Sequence, residues 1–264
     1  MLNIIGQEYV QRNIDSFISN NTLPRTLIIS GELGSGRKTM CRKISLDANL
    51  ALIIFGTSIQ EVRECINLAY TITTPTLFIF DEIQEMTAAA ENALLKVIEE
   101  PPNNVYFALI VKNKSFARIL PTIQSRSTTI TMRPYTKDEL KFFTTDPDIL
   151  RVCDTPGLIK MVDKEKVIKA RKCAEDLCKA VQDGSGVAII KILREFELSG
   201  IDDTDIMLVT RWMSEEYLMD FDILSEATLK EYIHGCAYLG AKSNSLQMLQ
   251  VMMFSILRAR KNED

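Results

Sequence analysis

The sequence predicts an α/β domain with a parallel sheet, followed by a small helical lid and an all-helical region. Three observations carry this expectation. Through about residue 134, short apolar runs alternate with segments of helical periodicity, the pattern of βαβ units in an open sheet. Two of the apolar runs end in polar signatures: a glycine-rich turn after 26–30, and the pair Asp81-Glu82 after 76–80. From Thr136 onward helical periodicity continues with no strand pattern.

Taken in order, residues 7–19 have helical spacing and 26–30 form a short strand entering the glycine-rich turn. A helix is expected over 39–49, a strand over 51–55, a helix over 59–70 and a strand over 76–80. Then come a helix at 88–100, a strand at 105–111, a short helical stretch at 115–124 and a last strand at 128–132. The runs L-A-L-I-I-F and T-L-F-I-F show no alternation, so both strands are expected to be buried on both faces. Helices are expected beyond them at 137–143, 147–152, 156–161, 164–183, 186–198, 205–220, 225–239 and 246–261. Asp154-Thr155-Pro156-Gly157 and Asp183-Gly184-Ser185-Gly186 supply turns between them. The last helix carries Leu246, Leu249, Val251, Met252, Phe254, Ile256 and Leu257, a stripe suited to burial in its own bundle or at a collar interface, and core packing alone explains it. The boundaries are therefore 1–134 for the α/β domain, 135–165 for the lid and 166–264 for the helical domain.

Composition narrows the classes. At 264 residues, 46% hydrophobic and 25% charged, the chain reads as an ordinary globular protein. A formal charge of -4 argues against tight DNA binding by the chain alone, although a local basic face is compatible with it. No apolar stretch approaches the roughly 20 residues that span a bilayer. The start, M-L-N-I-I-G-Q-E-Y, lacks the layout of a signal peptide, so a cytoplasmic chain without membrane contact is expected. The six cysteines form no C-x-x-C pair and are expected to be reduced thiols; no zinc is expected.

The strand L-I-I-S enters Gly31-Glu32-Leu33-Gly34-Ser35-Gly36-Arg37-Lys38-Thr39 and then a helix. Backbone N–H groups at such a turn, backed by a helix N-terminus, make an anion site. The phosphate-loop fingerprint G-x-x-x-x-G-K-[ST] is met at Gly31 and Gly36. Arg37, however, stands in the lysine position, Lys38 in the hydroxyl position, and Thr39 arrives one residue late. A guanidinium is wider and planar, and a lysine offers positive charge where Mg²⁺ should sit. The expected phosphate contacts are Gly31, Gly34, Ser35, Gly36, Arg37, Lys38 and Thr39; hydrolysis is not expected. Asp81 is the expected Mg²⁺ ligand, through water, and Glu82 the group that would polarise an attacking water. An Asp-Glu pair after a strand also suits a plain helix N-terminal turn.

With the loop, the D-E pair, the helix A-E-N-A-L-L-K-V-I-E-E-P-P and the segment I-L-P-T-I-Q-S-R-S in one order, the chain resembles the AAA+ subunits of bacterial and phage sliding-clamp loaders. It is most similar to the delta-prime branch. The resemblance covers residues 4 to about 165, and the helical tail only in general character. It implies a P-loop NTPase-like domain, a lid and an oligomerising collar, with I-I-G-Q-E-Y as the N-terminal box near an adenine pocket. It further implies that Arg126, in Ser125-Arg126-Ser127, projects as an arginine finger into a neighbour's ATP site. Ser127 replaces the family's cysteine. Gly157 stands where motor subunits carry the second-sensor arginine, and Asn113 is the polar candidate for the first sensor.

The resemblance implies a stator of a DNA polymerase III clamp loader, with ATP and Mg²⁺ weakly held or absent and no ATPase activity of its own. Implied partners are the other loader subunits, the sliding clamp and primer-template DNA, touched through its backbone. Lys38, Arg42 and Lys43 are candidates for that contact, against a merely solvated helix face. Two alternatives stay open: an ATP-hydrolysing motor subunit, which the retained D-E pair favours, and a non-enzymatic adaptor that docks through its helical half.

Overall fold

The computed structural model describes residues 4–217, 226–238 and 245–261. The chain divides into two units, residues 1–143 with 154–158, and residues 144–153 with 159–264. The stretch read from the sequence as a separate lid is shared between them.

The first unit is a five-stranded parallel sheet, β1 (Thr26–Gly31), β2 (Ala51–Phe55), β3 (Thr76–Phe80), β4 (Val105–Lys112) and β5 (Thr128–Thr131). Their spatial order is β2-β3-β4-β1-β5. Helices α1 (Glu8–Ser19), α2 (Arg37–Asp47), α3 (Ile59–Thr71), α4 (Ala88–Glu99) and α5 (Pro121–Gln124) connect or flank the strands, with α6 (Lys137–Leu140) after β5. Strand residues alternate faces. Ile28, Phe78, Phe80, Phe107, Leu109 and Val111 point to one core with Val62 and Cys65 of α3, Leu94 and Val97 of α4, and Ile123 of α5. Leu27, Ile29, Leu77, Ile79, Ala108 and Ile110 point to the other, against Val10 and Ile14 of α1 and Met40, Cys41 and Ile44 of α2. This two-layer burial is why β1 and β3 read as unbroken apolar runs.

One strand departs from expectation. The run A-L-I-I-F lies at the sheet edge, hydrogen-bonded only to β3, with Ala51 and Ile54 exposed and the rest half-buried. Apolar character without alternation does not distinguish a strand with two neighbours from one with a single neighbour. Phe55 finds its cover within the sheet, stacked on Phe80 and edge-on to Phe78.

The register fixes where chemistry can gather. Gly31 pairs with Lys112, and Phe80 with Leu109, so the carboxyl ends of β3, β4 and β1 lie side by side. In open α/β sheets ligand sites form at these ends. Helix α2 begins at Arg37, two residues earlier than the sequence spacing implied, because Gly36 (φ 96°) supplies the left-handed turn into it.

The second unit is helical: α7 (Pro147–Val152), α9 (Lys164–Gln182), α10 (Gly186–Leu198), α11 (Asp203–Trp212), α12 (Glu226–Tyr238) and α13 (Ser245–Lys261). Helix α8 (Pro156–Met161) bridges the boundary in sequence. Val167, Ala170, Cys173, Ala174, Leu177, Cys178 and Val181 form the inner stripe of α9. Burial pushes both thiols there up to about 12, so they pack as small apolar groups. Trp212 is fully buried, with the guanidinium groups of Arg171 and Arg151 4.8 and 5.7 Å from its ring centre. The helix expected over 205–220 becomes a π-helical turn at Met213–Tyr217, and residues 218–220, 225 and 239 lie outside the described residues. On α13, Leu249, Met252, Met253, Ile256 and Leu257 are buried in the helical unit, whereas Val251 is exposed.

Phe107 sits on the central strand β4, fully buried, its ring 5.8 Å edge-on from that of Phe78. Phe107→Ala is expected to cost about 3–5 kcal/mol, read as a lowered denaturant midpoint of the sheet unit.

Candidate functional site

The site lies where the loop after β1 meets the ends of β3 and β4. Lys38 Nζ is 2.6 Å from Asp81 Oδ2, and Arg37 Nη2 is 3.0 Å from Glu82 Oε1. Lys112 Nζ lies 3.2 Å from the other Glu82 oxygen, which also accepts a hydrogen bond from the Gln84 amide. Thus the two cations read as phosphate contacts turn onto the two carboxylates read as metal and water ligands. Lys112 was passed over in the sequence because it ends an apolar strand. Asn113, the sensor candidate, opens a 3-10 turn one residue later and is exposed.

Charge compensation explains the local conformations. Arg37 and Lys38 occupy the first turn of α2, where the helix dipole disfavours cations. Asp81 and Glu82 offset this. Arg37 is only 6% exposed, a burial that a guanidinium tolerates only when paired. Glu82 adopts a left-handed backbone (φ 55°), strained for a residue with a side chain and held by its three side-chain partners. Burial by itself raises the Glu82 carboxyl. The hydrogen bond from Gln84 and the charges of Arg37 and Lys112 outweigh it and hold the group below its ordinary 4.5.

A second set of contacts closes the loop from residues 154–158 of the same unit. Thr155 Oγ1 donates to the Leu33 carbonyl at 2.7 Å, and Gly157 N–H to the Gly34 carbonyl at 3.0 Å. Gly157 is required here: a Cβ on it would meet Gly34 Cα at 2.3 Å. Gly34 (φ 79°) is equally constrained, its own Cβ falling 2.6 Å from Thr155 Oγ1. So no side chain fits at the position where the resemblance would put a second-sensor arginine. From the other side, Tyr135 Oη donates to the Ser35 carbonyl at 3.0 Å. The Gln7 amide exchanges hydrogen bonds with the backbone of Arg133 at 2.8 and 3.0 Å, tying the N-terminal box to this strut.

The donor set does not fit a Mg²⁺–nucleotide. An ammonium stands on Asp81, where the cation's ligand should be free, and both carboxylates are already neutralised. Two buried loop donors, Ser35 Oγ and Arg37 Nη1, have no acceptor among the described residues, and donors suit an anion, not a metal. Thr39 is half-buried on α2. Among the described residues no group of three or more His, Cys, Asp or Glu is placed to hold a metal ion.

Arg126 lies apart from this cluster, just beyond α5 and 40% exposed, with Nη2 2.9 Å from Glu99. Of the basic residues after the loop, Arg42 is exposed, but Lys43 is not available for DNA: it is buried between Asp15 and Asp47. Its inward register on α2 decides this.

The sheet order, the glycine loop and the covering helices define an AAA+ fold. A crystal structure of a DNA polymerase III gamma subunit-related protein from Thermotoga maritima aligns with 94% of this chain and 99% of its own, at a TM-score of 0.51 and 15% identity, a likeness of fold. A family model described as DNA polymerase III, delta subunit, matches residues 51–136. DNA polymerase III subunit gamma of Buchnera aphidicola (subsp. Schizaphis graminum) is 27% identical over 154 residues, 47% of this chain and 42% of that protein. Probable replication factor C subunit 5 of Caenorhabditis elegans is 30% identical over 155 residues, 50% and 41% respectively. The matched region spans less than half the length of these relatives. Together these matches support an AAA+ chain of the clamp-loader family.

Two outcomes test the site. Gly157→Ala should push residues 154–158 off the loop, so that the Gly157 amide loses about tenfold or more of its exchange protection. Glu82→Gln strands the buried Arg37, and should destabilise toward the lower end of roughly 3–5 kcal/mol because Glu82 is itself partly exposed. Glu82 has a depressed folded-state pKa, so its stabilisation is full above the unfolded value of 4.5 and is lost as pH falls through the folded value. Wild-type and Glu82→Gln unfolding midpoints should therefore differ at neutral pH and converge in acid below about 4.5.

Proposed function

We propose that this chain is a delta-prime-like stator of a ring-shaped clamp loader acting in DNA replication. The observation that carries this reading is the internal pairing of Arg37, Lys38 and Lys112 with Asp81 and Glu82. Carboxylates neutralised by their own chain have no charge left for Mg²⁺, and the Thr155–Gly157 contacts occupy the mouth of the loop. On this reading the site is a degenerate nucleotide site that serves as a fixed structural joint.

The working group is then Arg126. It is half-extended into solvent on a segment anchored in the core by Ile119 and Ile123, so it can reach a neighbouring subunit's ATP. There a guanidinium stabilises charge developing on the transferred phosphoryl group. Residues 166–264 supply the collar. Val187 and Ile190 of α10 and Val251 of α13 are exposed apolar residues, and the half-buried Phe254 of α13 lies against Gly186 of α10. Such a surface suits equivalent helices of other subunits. Sliding clamp and primer-template DNA would be met in the assembled ring, DNA through backbone phosphates, in the cytoplasm. Among the described residues no helix is long and apolar enough to cross a membrane.

The test is steady-state ATP turnover by the neighbouring ATP-hydrolysing subunits with clamp and primed DNA, in the presence of wild-type chain or Arg126→Ala. The isolated chain should show no turnover. The complex should be stimulated by wild-type chain and lose an order of magnitude or more with Arg126→Ala. The retained Asp81-Glu82 pair favours the rival reading of an active motor. Turnover by the isolated chain that Glu82→Gln abolishes would establish that rival and overturn the stator.

A further inference from the structure

The segment bearing Arg126 is held far more firmly than Arg126 itself. Glu91, 5% exposed on α4, faces the backbone N–H of Leu120, the residue before α5. Gln124 Nε2 donates to the Ile119 carbonyl at 2.8 Å, and Ser127 Oγ to the Ile123 carbonyl at 2.7 Å. Ile119 and Ile123 are fully buried beneath them. The guanidinium, by contrast, is bound only at the surface. Its Nη2 pairs with Glu99 Oε1 at 2.9 Å, and its Nη1 donates to the Thr122 carbonyl at 3.1 Å and to Ser125 Oγ at 3.4 Å. Glu99 is the last residue of α4 and is 43% exposed.

From this geometry we propose that Glu99 is a latch for Arg126: it pairs with the guanidinium in the unengaged chain and competes with a neighbouring subunit's phosphate for it. The proposal rests on the finger reading of Arg126. An exposed ion pair is weak and is surrendered readily. A triphosphate carries more charge than a carboxylate and can take the fork of a guanidinium bidentately, where Glu99 meets one nitrogen. The latch therefore keeps the finger ordered and neutralised without preventing engagement. Because α4 also fixes Leu120 through Glu91, a single helix holds the backbone of the finger segment and restrains its side chain. Glu99 acts only through Arg126 and is a positioning residue.

The sign of the effect separates a latch from a supporting contact. Removing a support lowers a neighbour's turnover, removing a competitor raises it, and a plain surface ion pair leaves it unchanged. In the complete complex with its ATP-hydrolysing neighbour, Glu99→Gln should raise kcat/KM for ATP about two- to fivefold, the range set by an exposed pair. Glu99→Asp, which keeps the charge, should return it toward wild type. In an Arg126→Ala background Glu99→Gln should have no effect. A fall or no change in kcat/KM with Glu99→Gln, while Arg126→Ala remains defective, overturns the latch and leaves the finger intact. A rise that persists in the Arg126→Ala background also overturns it. If Arg126→Ala itself is inert, the finger reading fails and the latch falls with it.

Discussion

The structure depends on one constraint: a buried guanidinium must have a partner. Arg37 enters α2 at its first residue, is nearly fully covered, and is paired through Nη2 with Glu82 across the end of the sheet. The parallel order β3-β4-β1 makes this possible, because it sets three strand ends side by side. Around that pairing stand the left-handed backbone at Glu82 and Lys112 on the second Glu82 oxygen, while Gly36 supplies the turn that starts α2 at Arg37. A buried ion pair need not add net stability over an apolar pair of the same volume, since desolvation consumes much of the Coulomb gain. What it does impose is uniqueness: any arrangement that breaks it leaves a charge without solvent or partner.

The consequence for function is a division of labour within one domain. The end of the sheet is committed to internal charge compensation, and Arg126 lies elsewhere, just beyond the short helix α5. Both places are joined by α4, which starts just after the Asp81-Glu82 turn and ends at Glu99. On the proposed reading, α4 is a rigid helix between a fixed joint and an arginine that acts on a neighbouring subunit.

Much of the fold was legible in the sequence, and for identifiable reasons. The strand starts at Thr26, Ala51, Thr76, Val105 and Thr128 are where the apolar runs begin, and for β1, β3 and β4 burial on two faces leaves a continuous signal. The exposure of Ile54 was not legible: the same signal arises whether or not another strand lies alongside. The exposure of Val251 was not legible for a related reason, since an apolar residue within a helical stripe gives no sign of which side the neighbours occupy. At the site, residue types were legible but their pairings were not. Arg37, Lys38, Asp81 and Glu82 were all singled out, yet nothing in their spacing says that the cations face the carboxylates. Tyr135, Thr155 and Lys112 carried no local signal, being about 100, 122 and 30 residues from the groups they touch, and only the sheet order brings them in.

Degeneracy on the proposed reading is distributed over several residues and does not rest on one. Restoring a hydroxyl at Lys38 would free Asp81 but leave Gly157 against Gly34. Restoring an arginine at Gly157 is sterically impossible while residues 154–158 close on the loop, because the two backbones touch with no room for a Cβ. Releasing that closure would still leave Glu82 neutralised by Arg37 and Lys112. Each feature blocks a different requirement: the metal, the sensor and the water-polarising base. Their mutual support, through a loop held on one side by Tyr135 and on the other by Thr155, makes the site a packed joint whose parts must change together or not at all.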